Sequence, residues 1–245
     1  IVSEDKLYPG KLLTIPTDEA TVGLDGEKVT EPTFGLEAYW ISEEQRTVAE
    51  ARGYIVVEPE GVLATHLSKM IEIYAHELIG QDEVKDIIDQ LSQDSPALVE
   101  NVVPKLIPFH NLTAVIKKLL QDQLPITDMR KILEILSELA GRNLNVTDTA
   151  EALRPSLIPL LLQRVVPLKE AIPVITLEPT FENILINADR QNQQEDLIID
   201  AKLSQIMMRK LSDIVDTQMA ENKTPFLIVS PIIRRKLSQL IRAHL

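Results

Sequence analysis

Gly53-Tyr54-Ile55-Val56-Val57-Glu58-Pro59-Glu60-Gly61-Val62-Leu63-Ala64-Thr65-His66-Leu67 contains the change of period on which the fold turns. Tyr54 to Val57 is a short aromatic and β-branched run, the composition of a strand. Residues 60–95 contain no proline. Within them Leu63, Leu67, Met70, Ile71, Tyr74 and Leu78 recur at helical spacing, so one apolar stripe runs along a helix. Gly80 is expected to end that helix. Val84, Ile87, Ile88 and Leu91 then form the stripe of a second.

Working back toward the start, Lys11-Leu12-Leu13-Thr14-Ile15 is another β-like run. Glu43 to Arg52 reads as a short polar helix, with Gly53 as a plausible C′ stop. Residues 1–60 hold five of the eight glycines, and their 13 acidic residues face only 5 basic ones. That concentration of turn formers marks a small α/β unit distinct from the rest of the chain.

Working forward, residues 96–165 are mostly helical. Leu112, Val115, Ile116, Leu119 and Leu120 make one stripe, and Met129, Ile132, Leu133, Leu136 and Leu139 the next. Thr127 or Asp128 can cap the second of these helices, and Gly141 is its expected C′ residue. Asp148 with Glu151 resembles a capping pair for a further helix, which Pro155 and Pro159 should kink or end. Residues 170–245 return to α/β. Val174 to Leu177 and Phe226 to Val229 are strands, residues 180–224 hold one or two helices, and Pro231 starts a last helix. That spacing predicts a parallel pair joined by a crossover. Arg190-Gln191-Asn192-Gln193-Gln194-Glu195-Asp196 is the expected mobile loop.

Composition excludes several classes. Hydrophobic residues make up 44% and charged residues 25%, an ordinary globular balance, and with 4% aromatics the core must be built from Leu, Ile and Val. A net charge of −12 argues against a nucleic-acid partner and against anionic lipid. The absence of cysteine removes disulfides, thiolate metal sites and a cysteine nucleophile. The chain opens on Ile1 rather than Met and reads as part of a longer protein. No window approaches the roughly 20 apolar residues needed to span a bilayer, so this part is expected to be soluble.

Catalytic signatures are missing. There is no glycine-rich phosphate loop. His76-Glu77 begins like a zinc-protease motif, but Gly80 occupies the place of the second histidine, and His66, His76, His110 and His244 share no ligand spacing. Ser156 and Ser230 neighbour prolines without the flanking glycine of a nucleophile turn. His66, beside Leu67 in the predicted helix, suits a hydrogen-bonded structural role. Arg234, Arg235, Lys236 and Arg242 read as a solvated cationic face near a helix C-terminus, or, more sharply, as a contact for an acidic partner or a neighbouring subunit.

Several blocks carry a resemblance. Glu31-Pro32-Thr33-Phe34-Gly35-Leu36 with Trp40-Ile41 is similar to an E/D-P-x-F-G-L…W-I/V block. Gly53 to Val57 and Val62 to Leu67 resemble G-Y-T-V-V and V-V-A-T-H-L blocks. His76 to Asp89, Gln123 to Leu136, Pro173 to Leu177 and Ser230 to Arg234 match further blocks in the same order. Collinear over most of the chain, these resemble the cytoplasmic domain of the flagellar type III export gate family, the FlhA family. Thr127 departs from it, standing where the family has Arg before Asp128.

The resemblance implies an α+β fold of several small subdomains: two small α/β units flanking a helical subdomain, plus the remnant of a split first subdomain. The remnant would be residues 1–9 and 59–78, the first α/β unit 10–58, the helical subdomain 79–158 and the last α/β unit 159–245. It also implies a membrane-spanning half outside this chain, a ring of nine subunits at the cytoplasmic face of the bacterial inner membrane in the flagellar basal body, no cofactor and no enzymatic activity. The function implied is a docking platform that receives export chaperones carrying filament-type substrates, orders their export and cooperates with the export ATPase complex. The homologous gate of a virulence injectisome is the near alternative, and a hydrolase with an acidic active site the distant one. Carried over residue by residue, the family's docking dimple falls on Glu31, Phe34 and Thr65. Phe34 would be the apolar anchor, Glu31 a rim acceptor or partner for a basic group, and Thr65 a small residue leaving room beside the ring.

Overall fold

The computed structural model describes residues 10–17, 19–20, 23–166, 171–192, 197, 199–220 and 223–244. The chain divides into two compact units, Ile1–Ile158 and Pro159–Leu245. The fold class is α+β, with small sheets among many helices.

The first unit opens with an antiparallel sheet of β1 (Lys11–Pro16), β2 (Glu27–Thr30), β3 (Glu37–Ser42) and β4 (Tyr54–Val57), in spatial order β2-β3-β1-β4. Central β1 pairs Leu12 with Ile41 and Leu13 with Trp40. Successive side chains of a strand point to opposite faces, so these neighbouring pairs build two cores. Leu12, Ile41 and Tyr54 pack with Ala49 of α1 (Arg46–Ala51), whereas Leu13, Ala38 and Trp40 pack with Val62 of α2 (Pro59–Ile73). A helix therefore covers each face, which is why the middle of β1 reads as a continuous apolar run. A 3₁₀ turn over Glu43–Gln45 leads into α1, whose end is followed by Gly53 at φ +82°. A Cβ there would meet the Glu19 carbonyl oxygen at 3.2 Å, so both backbone conformation and space require glycine.

Beyond α2 come α3 (Ala75–Leu78), α4 (Gln81–Asp94), α5 (Pro96–Val102), α6 (Phe109–Gln121), α7 (Met129–Leu139) and α8 (Val146–Val165). The expected stripes of α6 and α7 are buried: Leu112, Val115, Ile116 and Leu119 on one, Met129, Ile132, Leu133, Leu136 and Leu139 on the other. Asp128 caps α7 by accepting the Lys131 N–H at 3.0 Å. Arg154 of α8 pairs with Asp122 at the end of α6, 3.1 Å apart.

Several local expectations are corrected. Gly80 does not serve as the stop of the preceding helix; its N–H donates to Glu83 Oε2 at 2.7 Å and it caps the start of α4. After α7 the chain tightens into a 3₁₀ turn over Ala140–Arg142, and the left-handed residue is Asn143 (φ +49°) rather than Gly141. The cap of α8 is Asn145, whose Oδ1 accepts the Asp148 N–H at 2.8 Å. Neither Pro155 nor Pro159 ends α8. Each removes one N–H from the ladder, while Ala150, Leu153 and Leu157 bury the helix over about two turns.

The second unit has β5 (Val174–Thr176) and β6 (Phe226–Ile228) in parallel, with Val174 opposite Phe226. Between them run α9 (Pro179–Asn192) and α10 (Ala201–Ala220), and α11 (Pro231–Arg242) comes last. Leu185, Leu197, Met207, Leu211, Ile233 and Leu237 form its core. Of the expected mobile loop, residues 190–192 continue α9 and 193–196 lie outside the described residues.

Candidate docking site

Residues 31–36 join β2 to β3, and three hydrogen bonds to Glu31 shape them. The Glu31 N–H donates to the Leu36 carbonyl at 2.7 Å, and the Gly35 N–H donates to the Glu31 carbonyl at 3.0 Å. The Phe34 N–H donates to Glu31 Oε2 at 2.6 Å. Gly35 takes φ +71°, a left-handed conformation that an L side chain resists. The result sorts neighbouring residues by depth. Glu31 is 4% exposed, while Phe34 is 55% exposed. Leu36 is exposed beside it. Thr33 Oγ1 is shielded from solvent and has no hydrogen-bond partner among the described residues.

This corrects the rim placement of Glu31. Its carboxyl group is turned under the loop, because the Phe34 N–H has no ladder partner in the turn and needs an acceptor. Phe34 stands outside the core, unlike Trp40 two strand positions beyond Ala38, which is buried. Thr65 is also exposed, on α2 one turn after Val62. Val62 and Val29 of β2 pack against the same core cluster, so α2 and the strand that feeds the loop share one sheet face. Among the described residues no hydrogen bond links Thr65 to Glu31 or Phe34.

The apolar stripe of α2 and α3 is the main feature that sequence periodicity leaves half-described. Leu63, Leu67, Ile71, Tyr74 and Leu78 lie 43–62% exposed, and only Val62 of α2 is buried. The expected single helix is corrected: α2 ends at Ile73 and α3 starts at Ala75, so the stripe is split between two helices, and these residues are exposed. His66 is corrected as well: its Nδ1 is shielded without a hydrogen-bond partner among the described residues. Leu36 shares the strand parity of buried Ala38 and Trp40 but lies one residue before β3 begins and is exposed.

The polar surroundings are tied up locally. At the base of the loop Lys28 Nζ lies 2.5 Å from Glu37, and the Tyr39 hydroxyl donates to the same carboxylate at 2.5 Å. Lys28, then Tyr39, hold Glu37 below the ordinary carboxylate range. Two clefts lie elsewhere in the first unit. One of about 650 Å³ opens around Lys11, Glu43, Arg46, Glu58 and Leu63, where Arg46 bonds Glu43 at 2.7 Å and Glu58 at 3.1 Å. The other, of about 430 Å³, is lined by Leu106, Asn111, Leu136, Asn143, Leu144 and Thr149. Neither takes in Glu31, Phe34 or Thr65. Among the described residues no group of three or more His, Asp or Glu side chains is placed to hold a metal ion. No helix there is long and apolar enough to cross a membrane.

A family model described as the FHIPEP family matches residues 1–245. Among curated proteins, the flagellar biosynthesis protein FlhA of Buchnera aphidicola is 31% identical over 243 residues, 99% of this chain and 34% of the relative. The chain thus spans about a third of the length of that relative. Among solved structures, the CdsV and CdsO protein complex of Chlamydia pneumoniae matches with a TM-score of 0.80 and 26% identity, over 97% of this chain and 70% of that one. A nonameric SctV-C structure from EPEC matches with a TM-score of 0.74 and 18% identity, over 97% of this chain and 72% of that one.

Proposed function

As this chain belongs to the FHIPEP family over its whole length, we propose that it is the cytoplasmic docking platform of a flagellar type III export gate. It receives export chaperones carrying filament-type substrates, orders their delivery, and cooperates with the export ATPase complex. It works as a non-enzymatic ring component beneath the inner membrane. Support for a ring comes from the nonameric state of the similar EPEC domain. Support for the flagellar branch comes from the 31% identity to the flagellar biosynthesis protein FlhA over 99% of this chain.

The observation that carries the docking reading is Phe34. A phenylalanine held more than half exposed by a hydrogen-bonded turn, in a chain with 4% aromatics, has the properties of an interface anchor. Leu36 extends its apolar surface, and Thr65 on α2 belongs to the same site. The four-part division of the chain belongs to the same reading, with α2 and α3 as the returning helix of a split first subdomain. The exposed stripe from Leu63 to Leu78 supports it, as a face that the rest of that subdomain covers in the longer protein.

Calorimetric titration of a purified flagellar export chaperone, bound to its filament-type substrate, tests the site. Phe34→Ala is expected to weaken binding by about 2 kcal/mol, as for a typical anchor, with the fold intact by circular dichroism. Unchanged affinity removes Phe34 from the site.

A further inference from the structure

We infer that Glu31 is a positioning residue: its carboxyl group holds Phe34 outward and meets no partner itself. The inference rests on the docking reading of Phe34 and assigns a different task to its neighbour.

Three facts lead to it. Glu31 is 4% exposed, so a partner reaching the loop touches Phe34 and Leu36 first and finds almost none of Glu31. Its side-chain oxygen accepts the Phe34 N–H at 2.6 Å, short enough to fix that peptide plane. Its own N–H and carbonyl bond Leu36 and Gly35, so one residue organises the next turn through three separate groups. Burial of apolar surface is favourable, so an exposed aromatic side chain on a six-residue connection tends to collapse against neighbouring apolar groups. A peptide plane pinned at Phe34 opposes that collapse and leaves the ring available before a partner arrives, which lowers the ordering cost of binding.

The chemistry predicts which substitutions matter. The bond needs an acceptor at the end of a three-carbon side chain; it does not need a charge offered to a partner. Glu31→Gln keeps a carbonyl oxygen in place, whereas Glu31→Ala removes the acceptor and leaves the Phe34 N–H unpaired. A rim contact to a basic partner group would make the opposite forecast, with both substitutions equally damaging.

The test uses this chain with Glu31→Gln, Glu31→Ala and Phe34→Ala, read in two ways. The first is calorimetric affinity for the chaperone–substrate complex. The second is the Phe34 amide resonance and its solvent exchange by NMR, which needs no partner. Glu31→Gln is expected to hold affinity within about threefold and to leave the Phe34 amide downfield and slowly exchanging. Glu31→Ala is expected to lose about tenfold in affinity, the worth of one hydrogen bond to a carboxylate, with that amide shifted upfield and exchanging faster. Glu31→Gln binding as poorly as Glu31→Ala, with the amide unmoved, overturns the inference, as does an unshifted amide in Glu31→Ala. Should the Ala variant not fold, the Gln variant alone decides: lost affinity with an unmoved amide sinks the proposal. If Phe34→Ala binds like the unsubstituted chain, or that chain does not bind, the docking reading fails. The amide measurement then still decides whether Glu31 holds Phe34.

Discussion

Lys236 of α11 and Asp189 of α9 form an ion pair, Nζ to Oδ1 2.5 Å, in which each side chain is only 14% exposed. The basic face of α11 is thus partly an internal fastening of the second unit, not a uniformly solvated surface. Removing one member strands the other charge in a nearly dry place, at a cost that exceeds the contribution of the pair itself. Asp189→Ala and Lys236→Ala are each expected to lower the unfolding free energy by about 2 kcal/mol, below the range for fully buried pairs. Urea unfolding of both single variants and the double variant checks this. The double variant should lose less than the sum, and strict additivity would mean the two side chains do not interact.

Gly35 and Gly53 both lie at positive φ but differ in their surroundings. A Cβ at Gly35 meets nothing within 4 Å, while one at Gly53 meets the Glu19 carbonyl oxygen at 3.2 Å and Ala20 at 3.3 Å. Gly35→Ala is therefore expected to cost about 1 kcal/mol, the conformational term alone. Gly53→Ala adds crowding against backbone and should cost about twice that. Thermal unfolding of the two variants side by side settles the order, and an equal loss would rule out the close approach at Gly53.

Leu133 and Leu67 are both leucines on predicted apolar stripes, yet Leu133 is fully buried and Leu67 is largely exposed. Leu133→Ala is expected to destabilise this chain by about 3 kcal/mol through lost transfer energy and a cavity. Leu67→Ala should change stability by less than about 0.5 kcal/mol here, as for a surface position. In the longer protein, where the proposed subdomain covers α2, the same Leu67 change should become costly. Denaturation of both variants in this chain and in the extended protein measures the difference, and a neutral Leu67→Ala in both denies that α2 is covered.

Glu83 and Glu178 accept backbone N–H groups at helix starts, and both are held below the ordinary carboxylate value of 4.5. For Glu83 the cause is its own N–H and then that of Gly80. For Glu178 it is the Thr180 hydroxyl first, with the N–H groups of Thr180 and Phe181 after it. A folded-state pKa below the unfolded one gives stability that is complete above the unfolded value and is lost as pH falls through the folded one. Stability should therefore decline with a carboxylate slope as pH drops below about 4.5. Glu83→Gln and Glu178→Gln should flatten that acid limb while leaving the neutral region nearly level. Acid titration followed by circular dichroism reads it, and an unchanged limb excludes these two groups as contributors.

Much of the secondary structure was legible because it depends on short-range spacing. Tyr54–Val57, the stripes of α6 and α7, Pro231 at the start of α11 and the parallel β5–β6 pair follow from periodicity, caps and connection length. The failures are equally local. The turn after α7 goes left-handed at Asn143 because a 3₁₀ turn delays its end past Gly141. Two prolines lie inside α8, whose buried Ala150, Leu153 and Leu157 hold it in place, which propensity alone does not count.

Reading Phe34 as a non-core residue needed the collinear blocks, since a phenylalanine beside glycine in an aromatic-poor chain otherwise reads as core. The depth of Glu31 was not legible by either route. A glutamate in a loop reads as solvated, and only the loop's backbone path leaves an N–H that needs its carboxyl group.

The linear sequence by itself determined four of the strands, β1, β4, β5 and β6, and the helical stripes of α4, α6 and α7, while β2 and β3 and the break between α2 and α3 were not read from it. It also determined that this chain belongs to an export-gate family. Tertiary structure alone decided which of those faces is covered. Leu133 and Leu67 sit on equally regular stripes, and the difference between them is the presence of other segments within van der Waals reach. The same holds for Glu31 and Phe34, three residues apart, where closure of one turn buries a carboxyl group and leaves an aromatic ring in water. Periodicity is a property of neighbours along the chain, and burial is a property of neighbours in space.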